Sequence, residues 1–407
     1  MQENSKSHEN TKLHDYSDDA KIGRGRFDLP FALLTLVLLV IGVVMVLSAS
    51  FARAYYDPTH ETGGNATYYF IRQLIFALMG VAAMYITSRF PMTFYRRFSM
   101  WVLIVAIGLL LLVPVIGVKA NGARRWIGFG SFTIQPSEIA KIGVILAFSS
   151  MICRYREKMK TFRYGIAPFL VILIVIVGLL ALEPHLSAAI IIVAVGAVML
   201  FIGGVRLYWF VGVGVAVAGL GAVAISVMDY AKERVANWLD PFSAASDAGY
   251  QIVQSLYAVG SGGLMGVGLG QSRQKYLYLP EEHNDFIFSI VCEELGFIGA
   301  ALILILFALL IVRGYWLAMH MRDRYSCLVC TGITTLLALQ VFLNVAVVTN
   351  LIPCTGISLP FFSYGGTALL IQMAEMGIIL SASRDVPTKY AYCARLTGCR
   401  SRAARRD

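Results

Sequence analysis

Charge is scarce in this chain of 407 residues. Only 14% of them are Asp, Glu, Lys or Arg, while 58% are hydrophobic. A soluble protein of this length could not bury so much apolar surface, so the composition implies a polytopic membrane protein. Other absences narrow the field. No stretch matches G-x-G-x-x-G or a P-loop, so no nucleotide is expected. The glycine-dense segment Gly260–Gly270 follows no strand, and we expect a flexible loop there that approaches a lipid or sugar closely. Seven cysteines are scattered, and Cys327 and Cys330 have CxxC spacing without a second pair or a nearby His. That excludes a zinc set and leaves core thiols. The first apolar run, Leu29–Leu47, follows a long polar tail and has no convincing cleavage site, so it reads as a retained span.

What is present is a series of about ten apolar runs. Most approach the length of a membrane crossing; Ile139–Ile152 is short and is expected to begin earlier, in polar sequence. The expected fold is an all-α polytopic membrane protein of about ten transmembrane helices, with a long extracytoplasmic loop between spans 7 and 8. The seventh run is Leu207–Val227 and the eighth Phe286–Val312, so that loop covers roughly Met228 to Asn284. Residues 1–27 read as a disordered cytoplasmic tail, 28–384 as the membrane domain and 385–407 as a basic cytoplasmic tail. The net charge of +10 does not point to nucleic acid, because the basic residues concentrate in alternate loops. The tails and the loops after even-numbered runs hold 24 Lys and Arg, the opposite set nine, and Lys141 alone falls inside a run. Both termini should therefore be cytoplasmic.

The unusual polar sequence falls mostly on the outer side. Tyr276–Ile290 packs Glu281, Glu282, His283 and Asp285 into five residues and then turns apolar. Asp285 thus stands at the mouth of a span, where an ionisable group is costly and marks a functional site. A solvated acidic helix start is the plainer reading. Arg124 and Arg125 beside Trp126 suit a phosphate or sugar, or an interfacial anchor. Glu138 and Lys141 are three apart and share a helical face, where they can pair inside the membrane. Glu183 is the carboxylate of the short Glu183–His185 turn. Tyr250–Val259 reads as an amphipathic surface helix with Gln251, Gln254 and Ser255 on its polar face. Pro353–Gly366, which includes Ser363 and Tyr364, has too many prolines and glycines for continuous helix, so it should line a cavity.

Six of these segments carry a resemblance. Asn-Gly-Ala-Arg-Arg-Trp-Ile (121–127), Gln-Pro-Ser-Glu (135–138), Gly-Tyr-Gln-Ile-Val-Gln-Ser (249–255), the glycine run, Tyr-Leu-Pro-Glu-Glu-His-Asn-Asp-Phe-Ile-Phe (278–288) and Leu-Pro-Phe-Phe-Ser-Tyr-Gly-Gly (359–366) resemble the SEDS family of bacterial cell-wall synthesis. The long N-terminal tail and Gly-Leu-Gly-Gln-Ser-Arg-Gln-Lys (268–275) are closer to its division and sporulation branches than to its elongation branch. The resemblance implies a glycosyltransferase of the cytoplasmic membrane that polymerises lipid II on the outer face, handling polyprenyl-pyrophosphate-linked glycan. It further implies a single-span class B penicillin-binding protein as partner, along with other division proteins. It places the family's essential aspartate on Asp285 and its cavity Glu and Lys on Glu138 and Lys141. His185 departs from it, since Asp is usual there.

In such a reaction Asp285 is the candidate general base. The candidate substrate-binding set is Arg124, Arg125, Glu138, Lys141, Glu183, Gln251, Ser363 and Tyr364. A divalent cation, Mg or Mn, would suit a pyrophosphate leaving group, and Asp285 is open to either role, holding the ion or the proton. No ligand set is assigned. A lipid II flippase is the alternative, because ten spans, an intramembrane ion pair and a broken stretch also describe a transporter. The crowding of motifs on the outer side favours an enzyme.

Overall fold

The computed structural model describes residues 25–386, except 26, 57–61, 121–122, 130–131, 184, 213, 215–235, 237 and 244–248. Most of both tails, most of the seventh apolar run and the Asn121-Gly122 dipeptide therefore lie outside the described residues. The main helices are α1 Leu29–Tyr55, α2 Tyr68–Arg89, α3 Met92–Ile116, α4 Pro136–Tyr155, α5 Ala167–Leu182, α6 Leu186–Gly203, α7 Tyr250–Ser261, α8 Ile287–Met319, α9 Arg324–Val348 and α10 Gly366–Ser383. Seven of them are long and apolar enough to cross a membrane, and α5 and α6 are shorter apolar helices.

Burial separates the centre from the rim. About 72% of the most apolar window is buried in α4 and in α9, against 22% in α2, whose remaining surface is left for lipid. The polar first turn of α4 confirms that this helix begins ahead of its apolar run, with Pro136 in the first turn. At one end of the bundle Asp28 caps α1 by accepting from Phe31 N–H at 2.9 Å. Arg313 of α8 grips the same carboxylate with two hydrogen bonds, and Asp28 N–H donates to Ser383 of α10 at 3.0 Å. Both ends of the described chain thus meet on one side of the bundle.

One small sheet accompanies the helices. Val118–Ala120, Ala123–Phe129 and Phe132–Ile134 form a small antiparallel sheet, β1-β2-β3, between α3 and α4. The Asn-Gly dipeptide at 121–122 is a hairpin signal, and Trp126, Ile127, Phe132, Thr133 and Ile134 further out suit strands.

The eighth span is also not one rod. Gly296 has φ 67° and ψ −171°, which separates a short helical segment, Ile287–Leu295, from the long remainder of α8. The glycine run explains the break. Val267 and Gly268 donate to the carbonyls of Glu293 and Glu294, while Phe297 and Ile298 donate to those of Gly263 and Leu264. A Cβ at Gly296 would lie 2.2 Å from Gly266 N. The glycines therefore admit backbone against backbone, and the run packs on α8 while Leu264 and Met265 stay exposed. Helix α7 packs against α8 rather than lying alone at a surface. Ser255 belongs to its buried side, where it bonds Ser289 and the Val348 carbonyl, both at 2.8 Å.

Candidate active site

The sheet, the first turns of α4 and α6, the N-terminal half of α2 and the irregular stretch 350–365 surround a cavity of about 350 Å³. Each wall has a local cause. Between β1 and β2 the register slips, with Val118 opposite Trp126 and Lys119 opposite Arg124, which leaves Arg125 as the extra residue of a bulge. A bulge re-aims its side chain, and Arg125 joins Trp126 in the cavity wall. Arg124 does not. Its guanidinium donates to the Pro114 carbonyl of α3 at 2.9 Å, outside the lining.

On α4, Lys141 Nζ lies 2.7 Å from Glu138 Oε2, with side chains 4% and 14% exposed. Both line the cavity, so the pair expected from spacing is formed. Glu375 of α10 is buried within electrostatic range of both.

Asp285 is half-buried in the opposite wall. Asn344 of α9 fixes its backbone by donating to the Asp285 carbonyl at 2.8 Å and to the Ile357 carbonyl at 2.6 Å. This one amide joins the acidic stretch to the irregular one. Gly356 comes so close that a Cβ there would stand 3.0 Å from Asp285 Oδ2, and its φ is +65°. Burial pushes the Asp285 carboxyl up to about 6, and the neighbouring Glu281 adds to this while Arg125 and His283 oppose it.

His185 lines the cavity near Arg125 and Lys141. Burial, then those two cations, lowers its pKa to about 4, so it is neutral near pH 7. Its Nδ1 accepts from Ala188 N–H at 3.2 Å, capping α6. The ring proton is thereby assigned to Nε2, which lies 2.8 Å from the Gln135 side-chain amide. The amide nitrogen is the atom that faces the ring, and turning the amide by 180° would bring its oxygen there to accept the Nε2 proton.

Tyr364 lines the cavity beside Arg72. Burial pushes its phenol up and the Arg72 guanidinium pulls it back. Ser363 turns away, accepting from Leu359 N–H and donating to the Asn284 carbonyl at 2.8 Å. Gln251 also lies outside the lining and donates to the Pro280 carbonyl at 3.3 Å. Glu183 is buried behind the wall, 2% exposed. Burial raises its carboxyl to about 7 against the pull of Arg125. Of the nine candidates the cavity thus gathers Asp285, Arg125, Glu138, Lys141 and Tyr364.

Sequence reasoning missed Arg72, Gln340, Asn344, Gly356 and Glu281 as members or supports of the site. Polar side chains inside the apolar runs of α9 were the available signal for Gln340 and Asn344.

A cavity in a bundle of apolar helices that gathers three carboxylates, Glu138, Glu281 and Asp285, with three cations, Arg72, Arg125 and Lys141, defines the class, and comparison with known proteins supplies the family. The FtsW/RodA/SpoVE model, described as a cell cycle protein, matches residues 29–387. Stage V sporulation protein E of Bacillus subtilis is 41% identical over 360 residues, covering 88% of this chain and 97% of its own. A probable peptidoglycan glycosyltransferase FtsW of Geobacter metallireducens is 39% identical over 360 residues, covering 88% and 95%. Among solved structures, a chain of a peptidoglycan synthase complex that coordinates polymerization and crosslinking matches with a TM-score of 0.75 and 27% identity, over 89% of this chain and 99% of that one. The rod shape determining protein RodA of Thermus thermophilus matches with a TM-score of 0.65 and 26% identity, over 89% and 98%. The chain belongs to the FtsW/RodA/SpoVE family.

Proposed function

We propose that this chain is a peptidoglycan glycosyltransferase that polymerises lipid II at the outer face of the cytoplasmic membrane, in division or sporulation. The observation that carries the reading is the Asp285 carboxylate in one cavity with Arg72, Arg125 and Lys141. An acceptor sugar hydroxyl attacks the anomeric carbon of the donor, and polyprenyl pyrophosphate leaves with the electrons of the broken bond. Asp285 takes the hydroxyl proton; its carboxyl, raised to about 6, remains ionised at neutral pH and is a stronger base than an ordinary aspartate. The guanidinium groups of Arg72 and Arg125 and the ammonium of Lys141 offset the charge that gathers on the pyrophosphate.

A divalent cation fits this wall in one way. Among the described residues no cluster of three His, Cys, Asp or Glu side chains could hold a metal. Glu281 and Asp285 give two carboxylates, which would suit Mg or Mn with substrate phosphates and water completing the shell, Asp285 then holding the ion in place of taking the proton. Bound there, the ion would add positive charge at the leaving group.

The orientation follows from the 24-to-nine division of basic residues, with both termini cytoplasmic and the cavity outside. A class B penicillin-binding protein that cross-links the product is the proposed partner, supported by the match to a peptidoglycan synthase complex. The test is purified full-length protein with purified lipid II, with and without that partner. Glycan strands longer than the substrate are expected; lipid II that moves between leaflets without polymerising would favour the flippase instead.

A further inference from the structure

Directly after the acidic stretch, α8 carries Glu293 and Glu294, each 1% exposed. Neither touches the cavity. Glu293 accepts from Arg273 N–H at 2.9 Å, from Gln274 N–H at 3.4 Å and from the Ser272 hydroxyl. Glu294 accepts from the Ser48 hydroxyl of α1 at 2.6 and 2.7 Å and from Lys275 Nζ at 3.0 Å. Lys275, 2% exposed, also donates to the Gly270 carbonyl at 2.6 Å. Two carboxylates and one ammonium are thus buried together and hydrogen-bonded on nearly every side.

Such a network is a poor source of net stability, because desolvation cancels most of the attraction. What it does supply is geometry. Segment 276–285 has no regular structure, exposes Tyr276, Leu277 and Tyr278, and holds Leu277 and Glu281 at φ 65° and 56°. Non-glycine residues keep such angles only where the surroundings enforce them. The enforcement comes from both ends. At the start, the carboxylates of Glu293 and Glu294 grip residues 272–275. At the far end, Glu282 pairs with Arg53 of α1 at 3.3 Å, and Asn344 holds the Asp285 carbonyl. Ser48 and Arg53 make the outer half of α1 the common post.

We propose that Lys275, Glu293, Glu294 and Ser48 are positioning residues, a buried ionic clamp that fixes the segment carrying Asp285 against the cavity. The inference rests on the reading of Asp285 as the base, since only then does the clamp set a catalytic distance.

The test uses full-length purified protein with lipid II and compares Lys275→Met, the charge-neutral double variant Lys275→Met with Glu294→Gln, and the mild Ser48→Ala. In the double variant the carboxylate that Lys275 pairs with is neutralised along with it, and Glu293 keeps its donors from Ser272, Arg273 and Gln274, so it should fold and melt above the single variant. Its kcat should nevertheless fall roughly 10- to 100-fold with KM changed less than about 2-fold, because a small misplacement of a reacting group is expensive. Amide exchange should rise over 276–286 and stay unchanged in α4 and α9, and Ser48→Ala should move both readouts in the same direction by less. A double variant with wild-type kcat and wild-type exchange in that segment overturns the proposal. So does a loss of kcat that merely tracks melting and exchange throughout the bundle. The exchange readout does not depend on which group is the base. If Asp285→Asn stays active while the double variant loosens 276–286, the base assignment fails and the clamp stands as a structural one.

Discussion

Replacing Lys141 by Ala should destabilise the protein more than replacing its partner Glu138. The two charged groups are 2.7 Å apart and nearly sealed from water. At an effective dielectric of ~20 their attraction is about 6 kcal/mol, of which desolvation takes back a large part. Breaking a buried pair from one side costs about 3–5 kcal/mol, because the other charge stays behind. The sides differ here. Without Lys141, Glu138 and Glu375 both lose the cation in their range, whereas without Glu138 the ammonium still has Glu375 in range. Lys141→Ala should therefore fall at the upper end of that range and Glu138→Ala at or below its lower end. The double variant should recover at least about 1 kcal/mol relative to the sum, though no activity. Thermal unfolding of the four proteins in one detergent measures this. Strictly additive losses, or a larger loss for Glu138→Ala, would show that the side chains are not coupled as described.

Three further outcomes follow from the geometry. Gly356→Ala puts a Cβ 3.0 Å from Asp285 Oδ2 at a φ of +65°, so polymerisation should slow by roughly 10-fold with KM for lipid II little changed; an unaffected rate would mean the carboxylate works elsewhere. Arg125→Ala should weaken lipid II turnover far more than Arg124→Ala, since only Arg125 faces the cavity; steady-state kinetics on both decide it. In a cysteine-depleted background, a cysteine at exposed Gln271 should react with an impermeant thiol reagent in cells whose outer barrier admits it, and one at exposed Thr161 only after lysis. The opposite pattern would invert the topology and remove the outer-face reading.

Much of this molecule is written in its apolar periodicity and its charge asymmetry. The bundle, the common side of its ends and the broken stretch before α10 follow from runs of residues and from proline and glycine density. The Glu138/Lys141 pair follows from helical spacing alone. What the sequence hides is where a side chain turns. Arg124 and Arg125 are indistinguishable as neighbours, and a one-residue bulge separates them. Arg72 counts as an ordinary loop charge until α2 packs beside the cavity. The glycine run looks like a ligand loop because its partner, Gly296, is distant in sequence and only backbone contact joins them. Glu293 and Glu294 lie inside the eighth apolar run in plain view. Their meaning depends on Lys275 and Ser48, which tertiary packing alone brings to them. Ser272 likewise reads as exposed loop and is buried against Glu293.

The central claim is that Asp285 removes the proton in glycan polymerisation. Its carboxyl is held up to about 6, above the ordinary aspartate value of 3.8. Between those values the folded chain binds more protons than the unfolded one, so this residue's contribution to stability falls as pH rises from about 4 to about 6. Asp285→Asn removes that unfavourable charge and should raise the melting temperature at pH 7.5 relative to wild type. The decisive measurement is lipid II polymerisation by purified Asp285→Asn at that pH, read as strand length and rate. The account predicts a folded, at least equally stable protein that makes no strands, beside a wild type whose rate drops as pH falls through about 6. Strand synthesis by Asp285→Asn near the wild-type rate would contradict it.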